Sequence, residues 1–429
     1  MSIVKFSYLW SARKRQWDKA GSFERYRWQM LLNSLTGAYE NIGFYRRLFD
    51  RRGISVKKIR CMEDFRKIPL LTKEAVKLEF GKKAIFDRKY LKTCVSRTTS
   101  GSCGFPLTVY YDRRSYFHSE AIYARALFEQ GVRLTDRIAY FWYEPFKKRG
   151  FWEYWGLFRK NEILYTQDER SQVEQLIKLD PTVIHCFPSN LYVLGQILGT
   201  KKAAIKPRLI ITHGELLQDY MKKEIEKMFN APVLDQYGSN EFNRMAWQCR
   251  EFGNYHIDAD NVLIEFLDAN NNEVMEGERG RLVVTHLFNR MMPLIRYEIG
   301  DYAVKLEEPC PCGRNLPLLE KLEGRQDDFI FLKGKLISPR KLGGSLEQVK
   351  SLKWYHFVQL GENKFKLEIL PNGSFNEDEH CRLRKILKSV LAQDIELEIK
   401  IADKYVRTNT GKMRAIVSYY KEPVASCQN

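Results

Sequence analysis

The chain has 429 residues, 44% hydrophobic and 29% charged, which is enough for two or three domains and a large core. No apolar run is long enough to cross a bilayer, and the stretch from Met1 to Trp10 is too short and mixed for a secretory signal, so a cytoplasmic protein is expected. The net charge of +18 is dispersed over short clusters such as Arg51-Arg52, Lys82-Lys83 and Lys147-Lys148-Arg149. No nucleic-acid motif accompanies them, so they read as a basic surface suited to anionic ligands rather than as a nucleic-acid interface. Nine scattered cysteines, an odd number, argue against a disulfide framework and fit a reducing compartment.

Residues 1–92 read as mostly helical, with Trp28, Leu31, Leu32, Leu35 and Tyr39 at helical spacing and Thr72 capping a helix start after Pro69. Next comes Arg97-Thr98-Thr99-Ser100-Gly101-Ser102-Cys103-Gly104-Phe105-Pro106, a hydroxyl- and glycine-rich turn feeding a strand through Leu107, Val109 and Tyr111. Such a loop can cradle phosphate with hydroxyls and backbone N–H groups, although taken alone it reads as an ordinary polar hairpin loop. It lacks the spacing and the lysine of the GxxxxGK[ST] loop.

A helix over 115–130 and a strand over 138–143 follow. Helices over 171–179, 190–198 and 217–229 then alternate with strands over 182–186, 208–212 and 231–237. That alternation predicts a layered α/β core with its ligand beyond the carboxyl ends of the strands, where His213-Gly214-Glu215 and Tyr237-Gly238 fall. From 255 to 304 short strands over 256–257, 262–267, 281–285 and 302–304 predict a β-subdomain. After Gly324, strands over 365–370 and 395–399 and a helix over 377–391 predict a small α+β domain.

Five motifs recur in a fixed order. They are the loop after Arg97, Tyr237-Gly238-Ser239-Asn240-Glu241, Arg296-Tyr297-Glu298-Ile299-Gly300-Asp301, Gly324-Arg325-Gln326-Asp327-Asp328 and Thr410-Gly411-Lys412. Over residues 95–415 this set resembles the adenylate-forming acyl-CoA synthetase superfamily, and within it the phenylacetate–CoA ligase branch with its capsule-biosynthesis relatives. The resemblance implies a large N-terminal domain over 1–324, with a helical start over 1–92, an α/β core over 93–250 and a β-subdomain over 251–324. A mobile C-terminal lid over 325–429 would turn about a hinge at Asp327.

The resemblance also implies the chemistry: ATP-dependent activation of a carboxylic acid as acyl-AMP, then thioester formation with CoA or a carrier thiol. Thr98, Thr99, Ser100, Gly101, Ser102 and Gly104 would cradle phosphate. Gly214 and Glu215 would line the adenine side, and Asp235, Tyr237, Gly238 and Ser239 would complete the nucleotide site with Tyr237 stacked on adenine. Glu241 would hold Mg2+, since magnesium takes few protein carboxylates. Asp301 would accept the ribose hydroxyls, Arg325 would reach ribose or phosphate, and Lys412 would be the catalytic cation. The chain departs from the family pattern at Cys103, where a hydroxyl is usual, at Leu107, where a lysine is frequent, and at Asn240, where a threonine is usual.

Cys310-Pro311-Cys312-Gly313-Arg314, with Cys249 and His256 upstream, offers three thiolates and one imidazole. These would close a tetrahedral structural Zn2+ site, and similar patterns occur in this branch; the alternative is four ordinary buried or free side chains. Trp142, Tyr143, Phe187, Pro188 and Trp247 are candidates for the acyl wall. Two other readings stay open: an adenylating enzyme that passes the acyl group to an amine, hydroxyl or carrier protein, and a non-catalytic nucleotide-binding scaffold of polysaccharide assembly. The acid would be a building block for surface polysaccharide or a secondary metabolite, and the sequence leaves a homodimer open.

Overall fold

The computed structural model describes residues 3–80, 93–98, 106–145, 159–201, 205–346, 348–349, 351–371, 373, 375–392, 394–405, 407–408 and 412–420. The chain forms two compact units. The first comprises Met1–Asp136, Lys148–Arg159 and Leu234–Leu322, and the second comprises Arg137–Lys147, Lys160–Val233 and Glu323–Asn429.

The first unit opens with the helices Ile3–Arg15, Ala20–Asn41, Gly43–Arg51 and Lys73–Phe80. Phe23, Leu31, Leu35 and Ala38 form the buried stripe of the second, at the three- and four-residue spacing that turns one helix face inward. The longer helix Arg113–Glu129 starts where the Asp112 carboxylate accepts the N–H groups of Arg114 and Ser115. It is fixed to the unit's interior by Arg125, which is fully buried and donates to Asp258 and Asp260 at 2.6 to 2.9 Å. Truncating that arginine would take its guanidinium from two buried carboxylates, leaving Asp258 to Arg244 and Asp260 to Arg15.

The strands of this unit lie in the order Val262–Leu267, Arg279–His286, Tyr297–Leu306, Leu318–Arg325, Tyr255–Ile257, Asn243–Gln248, Val233–Ser239. Those whose register is known pair antiparallel. A β-subdomain was expected, and the strand Leu318–Arg325 adds one that the sequence reading did not foresee; two further differences stand out. The strand Asn243–Gln248 was not anticipated, because its polar Arg244 and Gln248 mask a buried strand; both are spent on internal hydrogen bonds. Tyr297–Leu306 begins earlier than the apolar run at 302–304 suggests, since the preceding residues include Glu298, Gly300 and Asp301.

In the second unit the strands Arg137–Trp142, Val183–Cys186 and Leu209–His213 run parallel. The helices Glu169–Leu179 and Pro188–Lys201 lie between them in the chain, and Asp219–Phe229 follows the last. Phe141, Ile184, Leu194, Ile210 and Phe229 belong to their common core. This is the alternation expected of a layered α/β fold, with helix ends within a few residues of the predicted ones.

The same unit holds a second core, built by Leu342, Phe357, Leu367, Leu383 and Ile416. Around it lie a four-stranded sheet in the order Glu396–Ile401, Lys364–Pro371, Leu352–Gln359, Ile416–Ser418 and the helices Pro339–Leu346 and Glu377–Val390. A small α+β assembly after Gly324 was expected. A third, smaller cluster of Val193, Trp354 and Met413 joins the helix Pro188–Lys201 to this C-terminal part.

Candidate active site and metal centre

In the second unit, the residues that matter gather at the carboxyl end of the strand Leu209–His213. Gly214 leaves it with φ +76, and a Cβ there would meet Phe187 Cε1 at 2.8 Å and Lys412 Cε at 3.7 Å. The position therefore needs glycine for its backbone angle and for the close approach of both neighbours. The Lys412 ammonium lies 5.5 Å from the centroid of the Phe187 ring.

The loop that carries Lys412 is held from several directions. Thr408 N–H donates to the Lys412 carbonyl at 2.8 Å, and Lys412 N–H donates to Thr408 Oγ1 at 3.2 Å. Arg407 donates to Asn190 at 2.9 Å and to Glu169 at 3.0 Å. Met413 N–H donates to Glu215 Oε1 at 2.7 Å, while Ser189 N–H donates to the other carboxylate oxygen at 3.1 Å. Burial pushes the Glu215 pKa above the usual range despite those bonds. Arg414 pairs with Asp328, next to the expected hinge residue Asp327 in the turn Gln326–Asp328. Arg325 is exposed at the end of its strand, and Thr410 and Gly411 lie outside the described residues.

Lys412 and Glu215, both expected at the site from the sequence, come together here in surroundings the sequence did not show. Glu215 precedes the helix Asp219–Phe229 rather than starting it, and it serves as the clamp for the Lys412 loop. Tyr140, His185 and His213 project from successive parallel strands and stack, with ring centroids 4.6 Å and 4.3 Å apart. Burial, and then the Lys412 ammonium, pushes the His213 pKa down to about 3, so its ring is neutral. Both His213 ring nitrogens are buried without a hydrogen-bond partner among the described residues. Phe187 stacks on Tyr165 at 4.2 Å and packs against Tyr143 at 5.9 Å. The signal for the histidines was positional: His185 and His213 both sit at the carboxyl ends of strands, where ligands collect.

In the first unit, a second group forms around Val233–Ser239 and Asn243–Gln248. Tyr237 and Asp301, remote in sequence, meet here: the Tyr237 hydroxyl donates to Asp301 Oδ2 at 2.7 Å. A bulge makes this contact. Arg281 pairs with Tyr302 but Val283 pairs with Glu298, so residues 299–301 loop out opposite Leu282 and re-aim Asp301. Gly238 lies so close to the returning strand that a Cβ would sit 2.5 Å from the Asn243 carbonyl oxygen, which excludes any side chain. Ser239 Oγ accepts the Phe242 N–H at 3.1 Å and closes the turn.

Asn240, where the family usually has threonine, donates from its amide to the Thr98 carbonyl at 2.9 Å. Thr98 ends the strand Val95–Thr98 and pairs with Thr108, so this bond ties the hairpin to the Tyr237–Glu241 segment. Thr99, Ser100, Gly101, Ser102, Cys103 and Gly104 lie outside the described residues. Glu241 is 8% exposed, and no described cation pairs with its carboxylate. Asp235 lies in the interior, where its carboxylate accepts the Tyr255 hydroxyl at 2.8 Å rather than standing open to a nucleotide. Trp247 is fully buried with its indole N–H on Asp258 at 3.2 Å, which makes it core rather than acyl wall.

Cys249, His256, Cys310 and Cys312 come together in the same unit, with their ligand atoms all within 4.8 Å of one another. Cys249 and Cys310 sulfurs are 3.8 Å apart, and Cys312 sulfur is 3.4 Å from His256 Nε2. A tetrahedron with Zn–S bonds of about 2.3 Å and a Zn–N bond of about 2.0 Å has S···S edges of about 3.8 Å and S···N edges of about 3.5 Å. The donor set and its edges therefore fit zinc. With four protein ligands the site would keep no open position.

No family model matches the sequence. The chain is 26% identical over 401 residues to phenylacetate-coenzyme A ligase of Pseudomonas putida, covering 90% of this chain and 87% of that protein. It is 26% identical to the protein of the same name from Escherichia coli K12, over 86% of this chain and 89% of the relative. It is also 24% identical to Protein CapK of Staphylococcus aureus, over 89% and 86% of the two chains. Among solved structures, 2-hydroxyisobutyryl-CoA ligase in the postadenylation state aligns with a TM-score of 0.80 at 20% identity, covering 94% of this chain and 91% of that one. The fold is that of the adenylate-forming CoA ligases.

Proposed function

We propose that this chain, which resembles the phenylacetate–CoA ligases along most of its length and has the fold of the adenylate-forming CoA ligases, is an ATP-dependent carboxylate–CoA ligase. In the first step an oxygen of the acid's carboxylate attacks the α-phosphorus of ATP, and pyrophosphate leaves. In the second the CoA thiol attacks the acyl carbonyl, loses its proton and expels AMP.

The observation that carries this reading is the seat of Lys412 against Gly214 and Phe187, at the carboxyl end of a parallel strand. An ammonium held there by Glu215 and Arg407, rather than waving on a free tail, can meet the charge that builds when carboxylate and α-phosphate come together. Its neighbours Phe187, Tyr143 and Tyr165 would wall the acyl chain, and neutral His213 offers the only unpaired buried ring nitrogens beside Lys412 among the described residues.

Tyr237 would stack on adenine, with its hydroxyl steadying Asp301, whose second oxygen would remain for the ribose. Thr98 and the loop after it would hold phosphate, with Arg325 reaching ribose or phosphate. Glu241, a nearly buried carboxylate without a described counter-ion, would hold Mg2+, which supplies charge neutralisation on the phosphates. Cys249, His256, Cys310 and Cys312 would hold structural Zn2+, bracing the loop between Leu306 and Leu318 against the hairpin at Cys249. The C-terminal residues 325–429, with a core of their own, would move as a lid about Asp327 between the two steps. The likeness to the CapK branch supports a building block of surface polysaccharide or a secondary metabolite as the acid's destination.

A screen of carboxylic acids for acid-dependent pyrophosphate release, with and without CoA, tests the proposal. Release without any acid partner, or with none in a broad panel, would remove it. Release that needs no thiol, with acyl transfer to an amine, would redirect the second step.

A further inference from the structure

The helix Ile3–Arg15 has two unlike faces. Leu9 and Ala12, together with Gln16 just beyond, are buried, whereas Val4, Phe6 and Trp10 on the helix and Trp17 after it are 43%, 61%, 61% and 50% exposed. Trp10 and Trp17 are the only exposed tryptophans among the described residues. Phe6 and Trp10 follow the spacing of one helix face, and Trp17 stands in the turn just beyond the helix. Arg13 and Lys14 stand among them, with the Lys14 ammonium 5.6 Å from the Trp10 ring centroid. Trp10, Arg13, Lys14, Trp17 and Glu129 line a cavity of ≈ 370 Å³. Glu129 takes the Arg13 guanidinium at 3.0 Å and Arg314 at 2.6 Å, so the one acid there is already neutralised.

Large rings standing in water beside lysine and arginine are what a helix lying in a membrane interface displays. A second copy of this chain is a poor occupant, because it would bring two Arg13–Lys14 pairs face to face. An anionic surface is a good one: it complements these cations, and the whole chain at +18 is drawn to it. No helix among the described residues is long and apolar enough to cross a membrane, so any such contact is superficial.

We propose that Phe6, Trp10 and Trp17, with Arg13 and Lys14, dock this protein reversibly on an anionic phospholipid surface, the rings entering the interface and the cations meeting headgroup phosphates. The patch lies outside every residue assigned to the reaction. The proposal is thus independent of the enzymatic reading.

Co-sedimentation of the full chain with vesicles tests it. Vesicles of phosphatidylcholine with phosphatidylglycerol should bind the protein about tenfold or more tightly than phosphatidylcholine alone, and added salt should release it. Phe6→Ser combined with Trp10→Ser, and separately Lys14→Glu, should each weaken that binding about tenfold or more while the melting temperature stays unchanged. Equal binding to both vesicle types, or variants that bind like the parent, would overturn the proposal. So would light scattering that shows a dimer dissolved by the ring substitutions with no effect on vesicles, which would assign the face to a second copy.

Discussion

The carboxylate of Glu215 accepts the backbone N–H of Met413 at 2.7 Å, one residue beyond Lys412. This bond sets where the ammonium can stand. Glu215 leaves the parallel strand two residues after its last member, His213, so the strand positions the lysine indirectly. Two bonds to one carboxylate make that placement stiff, and burial raises the Glu215 pKa even with both in place.

Lys412→Ala should lower acid-dependent pyrophosphate release by about 10²–10³-fold, the usual loss when one preorganised charge-stabilising group is removed. Its melting temperature should match the parent's, because Lys412 adds little to any core. Unchanged turnover would take Lys412 out of the reaction.

Glu215→Ala removes both anchors and leaves the N–H groups of Met413 and Ser189 without their acceptor, at a cost of about 1–3 kcal/mol in the melting curve. Its kcat for acyl-AMP formation should fall with that of Lys412→Ala, and combining the two should add little. Additive losses would show that Glu215 acts apart from the lysine.

Gly214→Ala places a methyl 2.8 Å from Phe187 on a backbone with φ +76. The left-handed angle alone costs about 1–2 kcal/mol. Displacing Phe187 and Lys412 by a fraction of an ångström should cut adenylation by about tenfold or more. Full activity in this variant would deny that the close approach matters.

His213→Leu should raise KM for the acid much more than KM for ATP, since its ring, with both nitrogens unpaired among the described residues, lies 5.2 Å from the Phe187 ring. Equal changes in both constants would place the ring elsewhere in the mechanism.

Zinc held by Cys249, His256, Cys310 and Cys312 would show in stability. Elemental analysis should find about one zinc per chain, and Cys310→Ser or prolonged chelation should lower the melting temperature before it touches the chemistry. Purified protein without metal, and with an unaltered melt, would leave the four residues as plain packing.

Much of this was legible from residue pattern. Apolar runs such as Ile138–Phe141 and Leu209–Ile211 read as buried parallel strands because they are too short for a helix and are bounded by polar residues. The approach of Cys249, His256, Cys310 and Cys312 was legible because cysteine and histidine spacing carries its own chemistry. What escaped depends on contacts between distant segments. Asn243–Gln248 is a strand whose polar side chains find buried partners, and pattern cannot show a partner. The bulge at residues 299–301 that turns Asp301 towards Tyr237 is a matter of register between two strands. Asp235 was expected at the nucleotide, but it is buried and its carboxylate accepts the Tyr255 hydroxyl, a partner that comes from another strand. Asn240 stood out only as a departure, and its bond to Thr98 supplies the reason for an amide there.

The central claim is that the acid's own oxygen attacks the α-phosphorus of ATP. Supplying an accepted acid labelled with heavy oxygen in its carboxylate, together with ATP and CoA, and weighing the AMP released tests it most directly. The account predicts AMP that carries one labelled oxygen, with pyrophosphate unlabelled. Label-free AMP, or ADP in its place, would contradict it.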